Sequence, residues 1–532
     1  MLEPTVSRAF PRAGKISPAF LAFAAAAISA WSVTSASADD YTKRANKAFA
    51  DVAEDRRTDL KLLPVLAKLS PAPKELSDRA AAAMLIPGKA GWDAAAKWSQ
   101  MPEQQEALKV LAKAAEQKDW KKANIFAQPY GIDGVSIEMI QAGLYTDLGD
   151  PPTLAGAKIQ YIRVLDQLFS LCNIEATRLT YDGKVNDAID LMINMLCLSR
   201  QMCDRSLFVE ISWGMNHMRQ CFERIRDVVY IDSRGPNKLD NAKLKEQIKT
   251  LDDKSNMYFD LSRIRFPDGD RAAAEQLTSR VYGPGPGVDP QIFSSTMARL
   301  TSTVRPLRLF TESGKWRSIG STQAPRDLAM KQVDAIFSDW ASRWTMPWFD
   351  KRTSNVIQYT KLDRNQFAAL AATIHDMGSL IPLRHTIHVE CIGTRQALAV
   401  QAFKHANSNF PPQLTAVRPA WIPEIEPDPY YPPAALNNAK LPMEYYVPIR
   451  DTEAFDGKGN PHDVDVVSDE SRFHVKLKDD VFVLYSIGSD NAKNNASRVQ
   501  NTEKEVQGAD YLIWPPVISL VRQNLIDRGD LK

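Results

Sequence analysis

Between residues 153 and 231 the apolar positions recur at steps of three and four, in three successive stripes. Leu154, Ile162, Leu165, Phe169, Cys172 and Leu179 make the first, which Asp182-Gly183 interrupts. Val185, Ala188-Ile189, Met192, Met195-Leu196 and Met202 make the second. Phe208, Ile211, Met215, Met218, Phe222, Ile225 and Val229 make the third. This spacing predicts three amphipathic helices with short turns, packed as an antiparallel bundle. Thr153 is the predicted N-cap of the first. Methionine at helical spacing reads as core packing, since its flexible thioether fills gaps. The phrase Gly183 to Ile189 resembles one tetratricopeptide hairpin, but no second copy follows at the 34-residue step, and an array needs about three.

Residues 40–126 are rich in Ala, Lys, Glu and Gln, as in Glu103 to Gln117, all good helix formers. Pro64, Pro71, Pro73 and Pro87 divide this part into short helices, a helical cap or an interaction arm. Tyr282 to Pro290 (YGPGPGVDP) is a stiff loop without the Gly-Lys-Ser/Thr of a phosphate-binding loop. Further helices are predicted near 326–345, 365–378 and 386–407. Beyond Asn407 the composition turns to Pro, Tyr, Asp and Asn, and strands such as Val481 to Tyr485 begin. The fold class is therefore mainly α: a multi-helix bundle or array body with a small C-terminal α+β module. The boundaries fall at 1–38, 39–150 (polar helical), 151–385 (helical core) and 386–532 (α+β module).

The first 38 residues change the picture of where the chain works. Arg8, Arg12 and Lys15 precede an uncharged run from Ala19 to Val33, and Ala36-Ser37-Ala38 supplies a small-x-small site before Asp39-Asp40. That is the pattern of a cleavable secretory signal peptide. The run has 15 residues, short of the roughly 20 needed to span a bilayer; the alternative is an uncleaved N-terminal anchor. No later stretch predicts a transmembrane span. The leader carries three basic residues and one acid, and the whole chain has a net charge of +2, so the mature protein is near neutral. It lacks the basic field that nucleic-acid binding uses. Five cysteines are too few for a disulfide scaffold in so long a chain. Pairing such as Cys172 with Cys197 and burial as small hydrophobes both remain open.

Candidate chemistry is sparse. Gly-x-Ser-x-Gly, HExxH, Cys-x-x-Cys and a Gly-rich dinucleotide fingerprint are all missing. His385 and His388 would share one helix face and could reach one metal ion, against a plain polar helix start with Glu390 as a first-turn acid. Trp340, Trp344 and Trp348 could form a sugar platform or belong to the core. The acids between Asp451 and Glu470 lack the ligand spacing of a calcium loop and read as a solvated hairpin.

One ordered set of motifs stands out. A helix ending near 407 is followed by Phe410-Pro411-Pro412-Gln413-Leu414, Trp421-Ile422-Pro423, Asp428-Pro429-Tyr430 and Tyr445-Tyr446. Then come Phe482 to Asp490 (FVLYSIGSD) and Gly508 to Pro515 (GADYLIWP). Over about residues 386–516 this resembles the globular part of type II secretion major pseudopilins, as reused in large exported helical bacterial proteins. The resemblance implies a structural calcium, Ca2+, with Asp490 and Asp510 as the matching side chains; two carboxylates with backbone carbonyls suit that ion. Asn494-Asn495-Ala496 replaces the family's Gly-Gly, and Phe410 stands where Tyr is expected. The prepilin-type start is also missing, so polymerisation as a pseudopilus is not expected.

The functional expectation is an exported structural or protein-interaction component of the bacterial envelope, not an enzyme, with other envelope proteins as partners. The alternatives are an envelope hydrolase or other enzyme with its site between helical body and terminal module, and a sugar- or metal-binding receptor.

Overall fold

The computed structural model describes residues 40–531 except 77–78, 117–122, 236, 253–258, 283–286, 302–307, 432–440, 454–457, 469–470 and 502–505. The leader lies outside the described residues, as does part of the Tyr282–Pro290 loop. The protein is mainly α, 57% helical against 9% strand, with its sheet near the C-terminus.

The polar N-terminal region folds into α1 (Asp40–Ala50), α2 (Thr58–Leu66), α3 (Arg79–Met84), α4 (Trp92–Ser99), α5 (Pro102–Ala115) and α6 (Ile137–Gln141). Pro64 does not break a helix as expected; it sits inside α2. Strands β1 (Thr146–Asp147) and β2 (Lys158–Ile159) pair antiparallel. That ladder claims the backbone where the first long helix was predicted to begin. Thr153 therefore precedes only a 3-10 turn at Leu154–Gly156.

The three predicted stripes are α7 (Ile162–Tyr181), α8 (Val185–Met202) and α9 (Phe208–Arg234), packed on one another. Gly183, at φ 76, makes the turn between the first two in a conformation that favours glycine. Met192, Met195, Met202, Met215 and Met218 are fully buried core. All five cysteines are buried and none is in a disulfide, so packing, not disulfide pairing, explains them here; burial pushes the Cys197 and Cys203 thiols up to about 12. The N-terminal helices are no detached arm. α3 and α4 pack on α7, α5 packs on α8, and Leu62, Trp98 and Leu111 join the bundle's core. At the start of α9, buried Glu210 takes the Arg205 Nε–H at 2.6 Å and the hydroxyls of Tyr130 and Tyr161.

Next come α10 (Asn241–Thr250), α11 (Gly269–Tyr282), α12 (Pro290–Thr301), α13 (Arg308–Gly320), α14 (Arg326–Trp344), α15 (Ala368–Thr373) and α16 (Leu380–Asn407). α16 has 28 residues, about 42 Å. It begins six residues before the expected 386, with Pro382 in the first turn, where the missing N–H is no loss.

The six-stranded sheet comprises β3 (Glu444–Tyr446), β4 (His462–Ser468), β5 (Arg472–Leu477), β6 (Val483–Ser486), β7 (Arg498–Asn501) and β8 (Asp510–Trp514). Its order is β3-β6-β8-β7-β4-β5, with β8–β7 and β7–β4 parallel and the other neighbours antiparallel. β6 and β8 rest on α16, and α17 (Val517–Asp527) packs on α9, β4 and β8. A Cβ at Gly393 of α16 would meet the Ile513 side chain at 2.6 Å, so glycine lets sheet and helix approach. One core runs continuously from Leu62 to Val521, joining body and terminal module. Among the described residues, no helix is long and apolar enough to cross a membrane.

Candidate functional site

The fold brings Asp490 and Asp510 together. After β6 the chain turns at Gly488, and Asn491, Asn495 and Ala496 follow with positive φ. Asp490 accepts the N–H of Ala492 at 3.0 Å through one oxygen and that of Gly508 at 2.9 Å through the other. Buried Asp510 accepts the N–H of Ala496 at 2.7 Å and that of Asn494 at 3.2 Å. The Ala496 contact holds a buried alanine at φ 55, where a Cβ is disfavoured. Nearby Glu444 is turned onto the Tyr431 hydroxyl and, at 2.8 Å, onto Lys493. The two aspartates thus clasp backbone N–H groups. Among the described residues no three His, Cys, Asp or Glu side chains stand together as metal ligands.

Burial pushes the Asp510 carboxyl up to about 7, with Asp490 and Glu444 adding to the rise against the amides of Ala496 and Asn494. A raised folded-state value means the native state binds the proton more tightly than the unfolded chain. Its stabilisation is complete below about pH 4 and lost as pH rises through about 7. Asp510→Asn is expected to flatten this dependence by on the order of 2 kcal/mol between pH 5 and 8, read in urea melts. Millimolar calcium at pH 8 checks the ion that the resemblance implies: a rise of several degrees in the wild-type melt that Asp510→Asn lacks would show it, and an unchanged melt would remove it.

His385 and His388 lie in the second and third turns of α16, not at its start. The His385 ring meets Trp348 edge-on at 5.1 Å, and burial drives its pKa down to about 4, with Arg384 and His388 helping. No third ligand group joins the pair among the described residues. Trp340 and Trp344 are not an exposed platform; both are buried against Phe337, Phe266 and Tyr359. In the acid-rich stretch, Asp451, Asp463 and Asp465 are described, but Asp456, Asp469 and Glu470 lie outside. The hairpin exists as β4 and β5. Its Asp465 is nearly buried rather than solvated, and hydrogen bonds from Arg472, with Arg498, hold its carboxyl down at about 2 against burial.

The expected first-turn acid, Glu390, is buried at the centre of the body–sheet junction. One oxygen accepts the Tyr511 hydroxyl of β8 at 2.6 Å, and the other pairs with Arg226 of α9, which also donates to Thr394. At the next residue of α9, Asp227 takes both Arg522 guanidinium nitrogens at 2.8 Å, together with Arg224 and Ser519. Arg522 also donates to the Ala83 carbonyl at 2.7 Å, across 439 residues of sequence. Sequence reasoning missed these pairs. Their only local signal is the charged run Glu223-Arg224-Ile225-Arg226-Asp227 inside an apolar helix.

Beside this junction a cleft of about 760 Å³ opens between the end of α9, α17 and β5. All six residues from Phe473 to Lys478 line it in succession. Consecutive side chains of a strand point to opposite faces, so the cleft follows the strand's edge rather than one face. Among the described residues β5 is the outermost strand, paired with β4 alone. Tyr181, Tyr230 and Ile526 line the apolar part, and Arg234, Lys476, Lys478 and Arg522 face Asp480 and Asp527 in the polar part.

No protein family, curated protein or solved structure matches the chain.

Proposed function

We propose that the chain is an exported component of the bacterial cell envelope with a structural or protein-interaction role, its C-terminal part a pseudopilin-like module fixed to a helical body. The observation that carries this reading is how polar groups are used. At the junction, where an enzyme site was the alternative, Glu390, Asp227, Arg226 and Arg522 are buried and neutralise one another. The open cleft beside them presents instead a strand edge and an amphipathic wall, the geometry of a docking surface. The leader supplies the address, and the module's motif order supplies the likeness to envelope assemblies.

The full-length gene product should appear in the envelope or periplasmic fraction with Asp39 as its first residue. Crosslinking in intact cells should give an adduct of defined mass. A cytoplasmic protein beginning at Met1, or stoichiometric metal coupled to turnover without any adduct, would replace this reading with the enzyme or receptor alternative.

A further inference from the structure

We infer that the cleft along β5 receives an extended, acidic segment of a partner protein, which adds to the sheet as a seventh strand beside β5. The inference rests on the interaction role proposed above and specifies how the partner is recognised.

An outermost strand has backbone N–H and C=O groups with no neighbour on one side, and these template another strand. Proteins usually blunt such edges with short length, charge or a covering element. Here β5 has six residues, about 20 Å at roughly 3.3 Å per residue. Phe473, Val475 and Leu477 turn inward, and Arg472, His474 and Lys476 turn to solvent. The inward set would keep an added strand in register, because a one-residue slip exchanges its two faces. α17 and the end of α9 wall the cleft on the far side. A partner strand beside β5 would lie between that edge and this wall.

Charge selects the occupant. The lining carries four cationic side chains against two carboxylates. Arg234 is paired with Asp480 and Arg522 with Asp227. Lys476 reaches only Asp463, at 3.9 Å with both side chains about three-quarters exposed, and Lys478 is exposed beside it. That leaves Lys476 on the strand and Lys478 one residue beyond it as the cationic groups of the lining without a close ion pair among the described residues. A segment alternating apolar and acidic residues would place its apolar side chains on Tyr181, Tyr230 and Ile526, and its carboxylates beside these ammonium groups.

The test uses the mature full chain and three fluorescent peptides: alternating valine and glutamate, the same with lysine for glutamate, and the first with alternate backbone nitrogens methylated. The Val/Glu peptide should bind saturably and the Val/Lys peptide should not. Methylation should abolish binding, because it removes the pairing N–H groups and leaves charge intact. Lys476→Glu/Lys478→Glu, at exposed positions that preserve folding, should weaken the Val/Glu peptide by about tenfold or more. Equal binding of the methylated peptide would overturn the inference by showing charge attraction alone, as would a dimer of this chain that the peptide fails to displace. If the double variant keeps its envelope adduct in cells and the wild-type protein binds no peptide, this inference falls and the interaction role stands. If the peptides behave as stated but no adduct forms, the cleft stands and the envelope role falls.

Discussion

Glu390→Gln is expected to remove about 3 to 5 kcal/mol of stability, the usual loss when one member of a buried ion pair is taken away. The substitution keeps the side chain's shape but leaves the Arg226 guanidinium charged and fully buried, with the Tyr511 hydroxyl facing an amide in place of a carboxylate. The pair ties α16 to α9 and the hydroxyl ties α16 to β8, so the loss should be felt by body and sheet together. Urea unfolding followed by both tryptophan fluorescence and far-ultraviolet dichroism checks this: the two midpoints should fall in step. A loss below about 1 kcal/mol, the value of a solvent-exposed pair, would mean that the junction admits water. The triple replacement Arg226→Met, Glu390→Leu, Tyr511→Phe should recover most of the loss, because removing all the charge also removes its desolvation cost.

Asp227→Asn should be comparably severe, about 3 to 5 kcal/mol, for a different reason. It leaves two guanidiniums, Arg224 and Arg522, facing each other in the interior without the carboxylate that bridges them. Burial works against the charge of Asp227, but Arg522 and Arg224 outweigh it and hold the carboxyl down at about 2. The sign is opposite to that of Asp510. A depressed folded-state value gives stability that is present above about pH 4 and lost as pH falls towards 2. The shift corresponds to about 2 kcal/mol at the usual 1.4 kcal/mol per unit. Acid titration of the wild type should show that loss and the Asn variant should lack it. An unchanged acid limb in the variant would assign acid unfolding to other carboxylates, Asp465 first among them.

The long helices were legible because a period of 3.6 needs no partner to be visible. Phe208 to Val229 follows it through seven apolar positions, and each is buried in α9 or packed against the core. The start of α16 was not legible from hydrophobic spacing, since His385 and His388 interrupt the stripe; Pro382 was the available marker. Glu390 was misread for the same reason. Six residues of helix precede the expected start, so the acid lies well inside, and its partners are 164 residues back and 121 residues on. No local pattern encodes a pair at that separation. Trp340 and Trp344 show the converse. Their four-residue spacing identified a helix face, but only the surrounding Phe337, Phe266 and Tyr359 decide that the face points inward. For the cleft, the sequence reading reached the strand at Val481 to Tyr485 but not β5, whose place at the sheet's edge depends on strand order.

The Arg522–Ala83 hydrogen bond has a consequence for the timing of assembly. α3 and α17 close on each other through a side chain that is made 439 residues after its partner. The early segments cannot reach their final packing while the rest is still being delivered, and contacts this distant in sequence are slow to form because a long loop must first be closed. A polypeptide with this wiring stays unfinished during synthesis. If it is threaded N-terminus first through a secretion channel, as the export proposed above requires, it would travel as a pliable strand and lock only after α17 arrives.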